Sequence, residues 1–187
     1  MNNLLFNLTC LLWILSEIVL NRYARSGKSD KQAADKNTEL YVWITIIISV
    51  TIGAFVSSWF TFPIFFSEQL KLIGISAIII GIIIRFIAIK QLGRFFTVNV
   101  TIRIDHQLIQ SGFYKYLRHP SYTGALLSFL GLGLSLNNWF SLVIVFLPTL
   151  FAFIHRMNIE ENVLAEQFGK QYQDYISKTK RILPFVY

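Results

Sequence analysis

Hydropathy restricts the fold of this chain more than any other property. Three apolar runs, Leu4 to Leu20, Tyr41 to Phe60 and Leu70 to Ile89, each approach the length of a membrane-crossing helix. A helix needs about 20 residues to traverse roughly 30 Å of hydrocarbon. Two shorter runs, Tyr122 to Leu136 and Trp139 to Ile154, are separated only by Asn137 and Asn138, which predicts a tight helical hairpin. Lipid offers no partners to the backbone, so apolar segments at that depth are helical. The expectation is an all-α integral membrane protein with five transmembrane helices. With 54% hydrophobic and only 14% charged residues, a water-soluble globule is excluded. Residues 1–187 read as one polytopic domain, with three spans and a polar loop in 1–90 and a second half in 91–187 that carries the chemistry.

The formal net charge is +7, and where the basic residues fall decides its meaning. Arg22, Arg25, Lys28, Lys31 and Lys36 lie in the first loop; Lys90, Arg94, Arg103, Lys115 and Arg118 lie in the connection from 90 to 121. Arg156, Lys170, Lys178, Lys180 and Arg181 follow the fifth run. Basic loops are retained on the cytoplasmic side, so the expected topology has the N-terminus outside and the tail cytoplasmic, and five spans satisfy it. Arg85 is expected to snorkel to the same face as Lys90, which leaves only Lys71 near the other. Charge spread through loops in this way does not describe a nucleic-acid surface, and no such partner is expected.

Several features carry a structural reading. The single cysteine, Cys10, permits no intrachain disulfide, and no metal site is expected. The first run lacks a basic leader and a small-residue cleavage site, so it is expected to stay as a helix. Glu17 is expected to sit at the membrane boundary beside Arg22. The loop from 21 to 39 reads as a polar linker. Gly74 and Gly81 lie seven apart on one helix face, and Gly124, Gly131 and Gly133 recur in the fourth run, which predicts close helix packing. Beyond the fifth run, Leu164, Phe168, Tyr172, Tyr175 and Ile176 form an amphipathic stripe interrupted by Gly169 and ended by Pro184. Such a helix can lie on the membrane or fold back over the cytoplasmic loop.

Two polar clusters bear chemistry. In the stretch Arg118-His119-Pro120-Ser121-Tyr122, proline suits the first helical position and disfavours helix in the residue before it, placing His119 at the N-cap of the fourth helix. A helix N-terminus attracts anions, with Arg118 and His119 beside it; the same residues could equally anchor the helix to headgroups. The second cluster is Arg156, Glu160 and Glu161, in which an i,i+4 ion pair is the simplest expectation. A hairpin closed by two residues at its far end brings these clusters together at the other.

The run from Arg118 to Gly124, the short hairpin, then Glu160-Glu161, Leu164, Phe168-Gly169, Tyr172 and Tyr175, and finally Thr179, Arg181 and Pro184, resembles the isoprenylcysteine carboxyl methyltransferase family, its small prokaryotic members in particular. The resemblance covers about Gln91 to Pro184. It implies an integral membrane enzyme with a cytoplasmic C-terminal helix and a cytoplasmic cofactor pocket. S-adenosyl-L-methionine is the implied cofactor and S-adenosyl-L-homocysteine its product. The implied substrate is the carboxylate of an isoprenylcysteine-like or other lipophilic molecule drawn from membrane lipid. By position, the implied cofactor-binding residues are His106, Gln107, Leu108 and Ile109, then Tyr114, then His119, Pro120, Ser121 and Tyr122, with Glu160 closing the pocket. Arg156 falls at the position of the substrate-binding arginine and is the implied catalytic residue. Val98 stands where eukaryotic members carry a histidine. The implied location is a prokaryotic inner membrane.

Other readings remain open. A phospholipid or lipid-amine N-methyltransferase would need a base, His119 or Glu161, to deprotonate an ammonium acceptor. A membrane reductase of the sterol-reductase type would bind a nicotinamide nucleotide instead. A non-catalytic membrane protein would use both clusters only as anchors.

Overall fold

The structure is a computed structural model and describes residues 2–23, 31–32, 38–65, 69–97, 100–102 and 105–183. The three long apolar runs form α1 (Asn2–Tyr23), α2 (Thr38–Trp59) and α3 (Gln69–Leu92). The hairpin consists of α4 (Pro120–Ser135) and α5 (Trp139–Phe168), followed by a short α6 (Lys170–Lys178). The only strands among the described residues are β1 (Lys31–Gln32) and β2 (Thr101–Ile102), which pair antiparallel. Most of the predicted linker, Val98 and Pro184 lie outside the described residues.

Four helical segments among the described residues are long and apolar enough to cross a membrane: Asn3–Arg22, Thr38–Trp59, Gln69–Phe95 and Trp139–Phe168. Their outer faces are apolar, and Leu4, Leu12, Ile47, Phe86 and Phe151 are each at least 60% exposed. In water such faces would drive aggregation; in a bilayer they meet acyl chains. At 16 residues, α4 spans only about 24 Å, but eleven of those residues are buried. It is the central helix of the bundle. The fifth apolar run continues beyond Ile154 as one helix: α5 runs through Phe168, about 45 Å in all, with Pro148 inside it.

Glycines set how closely α3 and α4 approach. A methyl group on Gly81 would come within 2.5 Å of the Gly124 carbonyl oxygen, and one on Gly124 within 2.6 Å of the Gly81 carbonyl oxygen. Gly74 and Gly131 repeat the arrangement at 2.5 Å in both directions. The Ser128 hydroxyl lies in this seam and donates to the Ile78 carbonyl at 3.2 Å. The predicted small-residue packing is therefore a reciprocal contact of two glycine pairs on antiparallel helices.

The far end of the hairpin is held by its two asparagines. Asn137 adopts a positive φ of 47°, which its side chain tolerates better than most. Its carboxamide accepts from the Ile64 and Phe65 amides at 3.1 Å, while Asn138 caps α5 by accepting from the Ser141 amide at 3.1 Å. The turn thereby fastens the segment just after α2.

Candidate functional site

At the opposite end of the hairpin, the start of α4 meets the cytoplasm-predicted end of α5. His119 is the N-cap of α4 and Pro120 its first residue, as the sequence predicts. The tail fixes this start from outside: the Arg118 and His119 amides donate to the Lys180 and Arg181 carbonyls at 2.7 and 3.0 Å, and Leu117 pairs with Lys180 as a parallel bridge. The helix α6 leads into this tail. It folds back over the 112–118 turn, where the Tyr175 hydroxyl donates to the Tyr114 carbonyl at 2.7 Å. Gly169, at φ +51°, makes the fold-back possible by separating α6 from α5.

The expected anion at the start of α4 is Glu161, from the chain itself. Its carboxylate accepts from Arg118 Nε at 2.9 Å and from Arg181 Nη2 at 2.6 Å, and lies 3.0 Å from His119 Nε2. Arg118 therefore turns inward instead of reaching for headgroups, donating also to the Thr179 carbonyl at 2.6 Å. Three cationic or titratable partners around one carboxylate leave Glu161 poorly suited to act as a base. Its role is to join α4, α5 and the tail.

Glu160, one residue earlier, faces the other way. Arg156 Nε donates to the Tyr122 hydroxyl at 2.9 Å, and that hydroxyl donates to Glu160 Oε2 at 3.1 Å. The expected i,i+4 pair is thus linked through a tyrosine from the facing helix. Arg156 Nη1 reaches Thr38 Oγ1, at the start of α2, at 3.1 Å. Arg156 is only 6% exposed, and its guanidinium is held from two directions.

Two charges have a partner that the sequence did not pair with them: Glu17 and Arg85 form a two-point pair, Nε to Oε1 at 2.7 Å and Nη2 to Oε2 at 2.9 Å. Arg85 Nη1 then donates to Ser121 Oγ at 2.9 Å. Charges at this depth cost several kcal/mol apiece when unpaired, so mutual neutralisation outweighs stretching to a distant surface. A lone arginine in the run Leu70 to Ile89 was the available sequence signal.

One cavity of about 570 Å³ connects these groups. Ten of the predicted site residues line it: His106, Gln107, Leu108, Ile109, Tyr114, His119, Ser121, Tyr122, Arg156 and Glu160. Pro120 does not; it is fully buried and sets the first turn of α4. Sequence reasoning gave Glu17 a structural reading and missed Arg85 and Tyr172, and all three line it too. His106 packs between Phe95 and Phe168, with ring centroids 5.0 and 5.7 Å away. Burial pushes the phenols of Tyr114, Tyr172 and Tyr175 well above their ordinary range, so all three are neutral hydroxyls at any physiological pH. From the polar corner the cavity continues into an apolar slot between α1 and α2, walled by Trp13, Ile14, Ile18, Val42, Ile46 and Val50.

A family model described as "Phospholipid methyltransferase" matches residues 70–171. The "Probable protein-S-isoprenylcysteine O-methyltransferase" of Oryza sativa subsp. indica is 36% identical over 116 residues, 61% of this chain and 61% of the relative. "Protein-S-isoprenylcysteine O-methyltransferase B" of Arabidopsis thaliana is 36% identical over 115 residues, 60% of this chain and 58% of the relative. Among solved structures, the eukaryotic intramembrane Ras methyltransferase ICMT (isoprenylcysteine carboxyl methyltransferase) superposes with a TM-score of 0.60 at 28% identity, covering 80% of this chain and 51% of that one. The chain thus spans about three-fifths of the length of these plant relatives and about half of the solved structure. The family match takes in more than half of the chain, including α3, the hairpin and both polar clusters, and on that basis the chain belongs to the phospholipid methyltransferase family.

Proposed function

We propose that this protein is an integral membrane carboxyl O-methyltransferase. In this reading it uses S-adenosyl-L-methionine to esterify the carboxylate of an isoprenylcysteine-like or other lipophilic substrate, releasing S-adenosyl-L-homocysteine. The observation that carries the proposal is the continuity of one cavity from a charged corner, with Arg156 and Glu160, to an apolar slot between α1 and α2. A water-soluble donor and a lipid-borne acceptor require such a two-sided chamber.

The residues present fit that cofactor. It is cationic at sulfur, zwitterionic at its amino-acid end and aromatic at its base. The Glu160 carboxylate and the Tyr122 and Tyr114 faces suit a cation, and the corner lined by His106 and Phe95 suits a stacked base. When bound, the cofactor supplies a methyl group as an electrophile. His106 to Ile109, Tyr114 and His119 to Tyr122 would surround it, with Pro120 acting through the helix start.

On the acceptor side, Arg156 orients the carboxylate by charge-assisted hydrogen bonds. An α-carboxyl has an ordinary pKa of about 3.5 and is already ionised at neutral pH, so no residue need act as a base. What this site contributes is alignment, which is worth several kcal/mol when reacting groups are held in line. The Tyr122 hydroxyl couples the two halves, because it holds the Arg156 guanidinium and the Glu160 carboxylate together. The acceptor's tail lies in the slot and reaches it laterally from the bilayer.

The topology that accompanies this reading has five crossings, with α4 as a short central one, the N-terminus outside, and α6 with the cofactor mouth in the cytoplasm. The basic loops favour it, and a prokaryotic inner membrane is the membrane proposed. All 187 residues act as one methyltransferase domain.

The test incubates purified protein with methyl-labelled S-adenosyl-L-methionine and a panel of prenylcysteine analogues. Alkali-labile label in the lipid fraction is expected, as an ester requires. The description of the matching family favours a second reading, a lipid-amine acceptor. Alkali-stable label on ethanolamine lipid would establish that reading in place of the first.

A further inference from the structure

Tyr172 lies on α6, in the stripe that covers the 112–118 turn, and is 1% exposed. Among the described residues, its hydroxyl has no hydrogen-bond partner although it is shut off from water. Its neighbour Tyr175, with a ring centroid 6.0 Å away, uses its own hydroxyl fully, on the Tyr114 and Leu117 carbonyls at 2.7 and 3.3 Å. An unsatisfied buried hydroxyl is costly, and the great majority of such groups are paired in folded proteins. Nor can Tyr172 swing out to find water. Gly169 begins its helix, the Thr179 hydroxyl closes the other end on the Tyr175 carbonyl at 2.7 Å, and the Leu117–Lys180 bridge anchors the tail beyond it.

The side chain lines the same cavity as His119, Tyr122 and Glu160. The charges that bear on it are the Glu161 and Glu160 carboxylates and the Arg118 guanidinium. That corner of the cavity is charged, whereas the corner lined by Phe95 and His106, whose ring centroids lie 5.0 Å apart, is aromatic. A ligand with a zwitterionic end and a purine end is matched to the two corners in only one orientation.

We propose that Tyr172 is a cofactor-contacting residue whose hydroxyl hydrogen-bonds the amino-acid end of the methyl donor, making α6 one wall of the binding site and not merely a brace. This assignment rests on the methyl-donor reading of the cavity. It explains why an otherwise well-paired helix keeps one hydroxyl unpaired: the partner is the ligand.

The experiment compares wild type, Tyr172→Phe and Tyr175→Phe in detergent. Thermal unfolding is followed without ligand, and titration calorimetry is run with S-adenosyl-L-homocysteine and with 5′-methylthioadenosine, which lacks the amino-acid end. Tyr172→Phe removes a hydroxyl that bonds to nothing in the free protein, so its unfolding temperature should equal or exceed that of wild type. Its affinity for S-adenosyl-L-homocysteine should fall roughly 5- to 30-fold, the range for one lost hydrogen bond, while 5′-methylthioadenosine binds within about twofold of wild type. Tyr175→Phe should show the reverse pattern, a lowered unfolding temperature and a smaller change in affinity. Unchanged S-adenosyl-L-homocysteine affinity in Tyr172→Phe overturns the proposal. So does equal weakening of both ligands, or a loss of thermal stability matching that of Tyr175→Phe. If wild type binds neither ligand, the methyl-donor reading itself falls and takes this inference with it; if wild type binds and only the variant pattern fails, that reading stands.

Discussion

The two ends of the α4–α5 hairpin are built from opposite materials. From Gly124 toward the Asn137 turn, α4 meets α3 through glycine and serine, backbone against backbone, as where Gly74 faces Gly131. Toward His119, it meets its neighbours through long charged side chains, with Arg118, His119 and Arg181 converging on Glu161 and Arg156 bonded to Tyr122. Packing of the first kind leaves no space and recognises nothing. The second kind surrounds the polar corner of the cavity, whose apolar part extends along α4 past Phe129 to Leu132. The glycine seam holds α3 close against α4, while the polar corner of the cavity lies beyond it at the His119 end.

The contrast is open to attack by substitution, and the largest effect is expected at the charged end. Replacing Glu161 with alanine leaves three partners facing one another without their anion, and should lower unfolding stability by about 3–5 kcal/mol, measured by thermal or denaturant unfolding in detergent. A loss below about 1 kcal/mol would mean that Glu161 does not organise the tail. Arg156→Ala comes next, at about 2–4 kcal/mol in kcat/KM, roughly 30- to 1000-fold, with affinity for S-adenosyl-L-homocysteine nearly unchanged. Were cofactor affinity to collapse instead, Arg156 would belong to the donor side of the chamber. In the seam, Gly81→Ala forces a methyl group against the Gly124 carbonyl and should cost about 1–3 kcal/mol of stability, while the folded fraction binds cofactor as wild type does. Should ligand affinity fall with it, the two ends are not independent. The smallest effect belongs to Ser128→Ala, which removes one interhelical hydrogen bond worth about 0.6 kcal/mol; a cost of about 2 kcal/mol would show that the seam depends on hydrogen bonding more than on close approach.

Much of the architecture was legible in the residues. The hairpin, its two-asparagine turn, His119 at the N-cap, the glycine seam and the break at Gly169 all emerge from local signals: hydropathy, spacing and backbone preference. Ten of the eleven site positions that the family resemblance implies line one cavity, and the short turn accounts for the meeting of His119, Ser121 and Tyr122 with Arg156 and Glu160. The partnerships that the sequence did not foresee share one cause. Arg85 and Glu17 are 68 residues apart, and sequence places each by its distance to a membrane surface, whereas the nearest compensation of each is the other. The start of α4 attracts an anion as its sequence predicts, yet that anion comes from 42 residues onward in the same chain.

What the sequence alone determined is where the chain meets lipid and where it must turn, since transfer from water to hydrocarbon and backbone dihedral preference act residue by residue and are recorded in order along the chain. Tertiary structure decided which charge neutralises which, that Arg156 is steadied by Thr38 118 positions away, and that Tyr172 keeps an unpaired hydroxyl beside the cavity. Coulomb and hydrogen-bond energies depend on separation in space, and only the packed bundle sets that separation.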